Sequence, residues 1–71
     1  MSTPPTDALA RAQGLVLALL SAGWTHQKIA EELGDRVSAR TIYRWAKGEH
    51  APQQASDLVA LERLAERSPA P

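Results

Sequence analysis

Along most of this chain apolar residues return every three or four positions, and the rhythm breaks at Gly23, Gly34 and Gly48. Such spacing predicts four short helices and no strand, because apolar and polar residues nowhere alternate over a sustained run. The first helix can be capped by Thr6 or Asp7 and runs to about Ala22. It carries Leu9, Ala12, Val16, Leu19 and Leu20 on its apolar side and stops at Gly23. The second opens at Trp24-Thr25, buries Ile29, Ala30 and Leu33, and stops at Gly34. The third opens at Ser38 and ends at Gly48. Pro52 suits the first turn of a fourth helix, which reaches about Arg67 with Leu58, Leu61, Leu64 and Ala65 on its apolar side, while Glu62, Arg63, Glu66 and Arg67 face water. Residues 1–6 and 68–71 are proline-containing tails, the first expected to be disordered, and 7–67 form the domain.

The second and third helices begin in the same way. Thr25 is an N-cap flanked by Trp24 before it and Ile29 four residues after it. Ser38 is an N-cap flanked in the same way by Val37 and Ile42. Both are hydrophobic staples, which fix the angle at which a chain enters a helix. Two such starts about a dozen residues apart predict a helix-turn-helix. Ala30 is the small residue where the helices cross, Gly34 is the turn residue, and Ile29, Leu33, Val37, Ile42 and Trp45 are the anchors.

Charge then gives this unit a direction. Eight Lys and Arg balance eight Asp and Glu, so the net charge is zero with histidine neutral. Four of the cations, Arg36, Arg40, Arg44 and Lys47, fall between Arg36 and Lys47, where there is no acid. Taken as helical, they lie within an arc of about 80°, with Ile42 and Trp45 roughly opposite. A phosphate backbone responds to local field, so such a stripe predicts binding to double-stranded DNA that weakens as salt rises. Arginine can donate two parallel hydrogen bonds to guanine O6 and N7, and an alanine can meet a thymine methyl.

Composition excludes several alternatives. With 71 residues there is room for one small domain whose core is marginal. The absence of cysteine excludes disulfides, thiolate metal sites and thiol chemistry, and favours a cytoplasmic setting. The apolar run Leu15 to Leu20 is far shorter than the about 20 residues that span a bilayer. The start Met1-Ser2-Thr3-Pro4-Pro5 lacks the basic region of a secretion signal. His26 and His50 are lone histidines, so no metal site is expected, and neither is a cofactor or small-molecule ligand. No catalytic constellation or phosphate loop is present, and the chain is not expected to be an enzyme.

The stretch Gly23-Trp-Thr-His-Gln-Lys-Ile-Ala-Glu-Glu-Leu-Gly34, with Val37-Ser-Ala-Arg-Thr-Ile-Tyr-Arg-Trp45 and Gly48-Glu-His-Ala-Pro52, resembles the Cro/CI-type phage-repressor DNA-binding domain. The resemblance covers roughly Leu15 to Leu64. It implies a small all-α, four-helix repressor-like domain, here with a helix-turn-helix whose turn is lengthened by Asp35 and Arg36. It implies base contacts from Ala39, Arg40, Tyr43 and Arg44. Phosphate contacts are expected from Thr25, His26 and Gln27 at the start of the second helix, from Ser38, and from Arg36 and Lys47 at the flanks of the stripe. The function it implies is a bacterial or phage transcriptional repressor acting by occlusion. Alternatives are a DNA-recognition subunit of a replication, excision or packaging machinery, or a protein-interaction module of the same shape. Trp24 and Trp45 are expected in the core. Leu15, Val16, Leu17, Leu19 and Leu20 exceed what one core-facing stripe requires, which predicts a homodimer through the first or fourth helix.

Overall fold

A computed structural model describes residues 7–34 and 36–67. It contains α1 (Asp7–Ser21), α2 (His26–Glu32), α3 (Ala39–Lys47) and α4 (Ala55–Arg67), with no strand among the described residues. The tails and the Thr6 cap expected from sequence lie outside the described residues.

Each boundary has a local cause. Gly23, at φ 103°, ends α1 in a turn closed by the Trp24 N–H on the Leu19 carbonyl at 3.0 Å. Thr25 caps α2 by accepting the Lys28 N–H at 3.0 Å, and Ser38 caps α3 by accepting the Thr41 N–H at 3.2 Å. Each cap satisfies one of the orphan donors at a helix start. Gly48, at φ 75°, closes α3: its N–H reaches the Trp45 carbonyl and the Glu49 N–H reaches the Arg44 carbonyl, both at 3.0 Å.

α1 packs against α3 and α4, and α2 packs against α3. One core runs through all four helices. It holds Ala12, Val16 and Leu19 of α1, Trp24 before α2, Ile29 and Ala30 of α2, and Leu33 and Val37 of the turn. Ile42 and Trp45 of α3 and Leu61 and Leu64 of α4 complete it. Both staples and both tryptophans are therefore internal, as their spacing predicts.

The structure departs from the sequence pattern in three places. α4 begins at Ala55, not in the turn containing Pro52, because the chain from Gly48 bends through Gln53 and Gln54, where the Gln54 carbonyl takes the Asp57 N–H. Glu62 and Arg67 do not simply face water: Glu62 pairs with Arg11 of α1, and Arg67 with Glu32 of α2 at 3.3 Å. Of the apolar run in α1, Val16 and Leu19 are buried and Leu15 and Leu20 lie against the core, which leaves Leu17 46% exposed.

Candidate nucleic-acid interface

The outward side of α3 follows from what its inward side buries. Ile42 and Trp45 point into the core, and the opposite arc presents Ala39, Arg40, Tyr43, Arg44 and Lys47. Arg40 is exposed and Arg44 half-buried, and neither forms an ion pair among the described residues. Tyr43 is 49% exposed and stands between two neighbours. The Lys47 ammonium lies 5.3 Å from its ring centre, a cation–π contact, and the His26 ring meets it edge-on at 5.6 Å. Lys47 also pairs with Glu49 at 3.6 Å, a surface contact worth little by itself.

The His26–Tyr43 contact joins the start of α2 to the outward face of α3. Thr25 and Gln27 are exposed beside it, so the N-terminal end of α2 and the cationic face of α3 form one continuous surface. Ser38 is exposed at the near end of α3, its hydroxyl occupied as the cap.

Arg36 stands apart from the stripe that its spacing suggested. α3 starts only at Ala39, so Arg36 belongs to the turn, and its side chain is tied to α4. Its Nη2 donates to the Asp57 carboxylate at 2.9 Å and its Nε to the Leu33 carbonyl at 3.4 Å. Arg36, the second of the two extra turn residues, is thereby tied to α4. Asp57 is the one buried charged residue among those described, its side chain 11% exposed against 52% for Arg36. Removing one member of a buried pair leaves an uncompensated charge, so Asp57 depends on Arg36 more than the reverse.

Two further features escaped the sequence pattern. Gln13 of α1 donates from Nε2 to the Ala46 carbonyl at 3.2 Å, fixing the far end of α3. Nothing in the α1 pattern marks that glutamine. A cleft of about 390 Å³ opens between α3, the 48–54 connection and α4, lined by Arg36, Arg44, Thr41, His50 and Gln54 above Asp57. Asp57 had a signal: with Leu61 and Leu64 it shares the helical spacing of the buried face.

Two short helices held by a staple and a cap each, with a cationic outward face on the second, define a helix-turn-helix domain of the DNA-binding class. The chain belongs to the homeodomain-like domain family, whose model matches residues 5–53. That match takes in α1, α2 and α3 and ends before α4. It supports the helix-turn-helix of the sequence reading at a level broader than the Cro/CI type. No curated protein and no solved structure gives a significant match. No helix among the described residues is long and apolar enough to cross a membrane.

Proposed function

We propose that this protein reads double-stranded DNA by sequence, with α3 seated in the major groove. The observation that carries the reading is the outward arc of α3, where Arg40 and Arg44 stand without carboxylate partners among the described residues. In this reading Ala39, Arg40, Tyr43 and Arg44 meet base edges. Thr25, His26, Gln27, Ser38 and Lys47 hold the backbone, which positions the helix without specifying sequence. The likeness of residues 23–52 to Cro/CI-type repressors supports a cytoplasmic bacterial or phage repressor that blocks its site by occupying it. Leu17 and Val59, each 46% exposed, support a homodimer, which would set two recognition helices one turn of DNA apart, about 34 Å.

Selection of bound duplexes from a random pool is the direct test, with a palindrome as the expected product. Arg40→Ala and Arg44→Ala should each remove about 1–3 kcal/mol of discrimination while leaving the helical signal intact. Equal losses on selected and random duplexes would refute the base-reading roles. Affinity that does not fall with salt would refute DNA as the partner.

A further inference from the structure

A helix seated in a major groove about 12 Å wide has a phosphate strand on each side. One edge of α3 is served by the start of α2, where His26 touches Tyr43. The neighbouring residue Arg44, about 100° further round the helix, borders the cleft against α4. We propose that this cleft is a subsite for one phosphate of the second DNA strand, with Arg36 and His50 as its donors and Arg44, which reads bases, at its edge. Asp57 is the positioning residue that holds the Arg36 guanidinium at the rim. The proposal rests on the reading of α3 as the groove-seated helix.

The chemistry of the lining fits an anion. Arg36 and Arg44 face a single carboxylate, Asp57, so the lining is net positive with His50 neutral. Asp57 is already committed to Nη2 of Arg36 at 2.9 Å, and the Leu33 carbonyl takes Nε. Nη1 of Arg36 has no protein partner among the described residues, on a side chain that is 52% exposed. A guanidinium held by two of its donors and open at the others is preorganised for a phosphate oxygen. Thr41, Gln53 and Gln54 add neutral hydrogen-bonding groups around it. The lengthened turn gains a purpose on this account. Asp35 and Arg36 are the two added residues, and the second of them reaches both α4 and the cleft.

The test uses the whole chain and a duplex recovered from the random pool, remade with one phosphate at a time replaced by an uncharged methylphosphonate. For the parent protein, neutralising the phosphate seated in the cleft should weaken binding about tenfold. Arg36→Gln, His50→Gln and Asp57→Asn should each bind the native duplex less well and each lose sensitivity to that same replacement, its effect falling toward onefold. Sensitivity to phosphates on the α2 side should persist. If Asp57→Asn instead weakens binding evenly at every phosphate, Asp57 is merely structural and its positioning role is overturned. If no phosphate is coupled to Arg36 or His50, the subsite is overturned. Should Asp57→Asn or Arg36→Gln lose its helical signal, His50→Gln, at an exposed residue outside that ion pair, decides the matter. Sequence preference that still depends on Arg40 and Arg44 without any such coupling faults the cleft alone. Preference independent of those arginines faults the groove reading beneath it.

Discussion

Gly48→Ala should destabilise the domain by about 2–3 kcal/mol, through two effects that can be separated. Gly48 sits at φ 75°, in the left-handed region, where an L side chain costs about 1–2 kcal/mol. A Cβ there would also lie 3.1 Å from Nε2 and 3.2 Å from Cδ of Gln13. Gln13 must then shift by a few tenths of an ångström, which strains its hydrogen bond to the Ala46 carbonyl at a cost of up to about 1 kcal/mol. Gly34 is the control: its φ is 81°, but nothing among the described residues lies within 4 Å of a Cβ built there, so Gly34→Ala should show the backbone cost alone. A domain of this length has a total stability of about 4–10 kcal/mol, and each kcal/mol moves the midpoint by about 4–8 °C. Thermal melts followed by circular dichroism should therefore show a fall of about 10–20 °C for Gly48→Ala and roughly half that for Gly34→Ala. In a Gln13→Ala background the Gly48→Ala penalty should shrink to the Gly34→Ala value. Equal falls in the parent background, or a penalty unchanged by removing Gln13, would refute the claim that α1 braces the end of α3 through this contact.

Three other outcomes follow from the same packing. Trp45→Ala should cost about 3–5 kcal/mol in urea unfolding, since Trp45 is 3% exposed in a small core; a variant as stable as the parent would place the wrong face of α3 inward. Lys47→Ala should weaken binding evenly across duplexes and lower the slope of log affinity against log salt by about one, and an unchanged slope would remove Lys47 from the backbone contacts. A chain cut after Gln54 should lose dispersed amide NMR signals, although the family match already ends at residue 53. It forfeits the burial of Leu61 and Leu64, together about 3–6 kcal/mol, and a folded fragment would show α4 to be dispensable.

What could be read in the sequence was whatever is decided within a turn or two of chain. The Thr25 and Ser38 caps, the Trp24–Ile29 and Val37–Ile42 staples and the Gly23, Gly34 and Gly48 stops are local devices, and each stands where its neighbours require it. The outward face of α3 followed from the same rules, because fixing Ile42 and Trp45 inward fixes Arg40 and Arg44 outward. The misplaced features depend on partners far along the chain. The charge spacing groups Arg36 with the helical stripe, but the Ser38 cap starts the helix after it, and its direction is set by Asp57, 21 residues away. Gln13 meets Ala46 across 33 residues, a pairing for which helical periodicity has no signature. Pro52 is the local signal for the start of α4, whereas the connection that lines the cleft keeps residues 49–54 out of the helix.

Zero net charge then acquires a structural meaning. Arg11, Lys28, Arg36, Lys47 and Arg67 each have a carboxylate within ion-pair distance, and the acids of α4 supply two of these partners, Asp57 and Glu62. Arg40, Arg44 and Arg63 have none among the described residues, so two of the three uncompensated arginines stand on α3. A field of that kind is short in range: beyond about 8 Å at physiological salt it is screened, and a neutral molecule gains little long-range steering toward DNA. Its binding must come from contacts made after arrival, which places the burden on how accurately α3 is held. Gln13 and Gly48 fix one end of that helix, while Ser38 caps the other end and Arg36–Asp57 ties the preceding turn to α4. In a chain without charge to spare, those uncharged and self-compensated contacts decide whether two arginines reach a groove together.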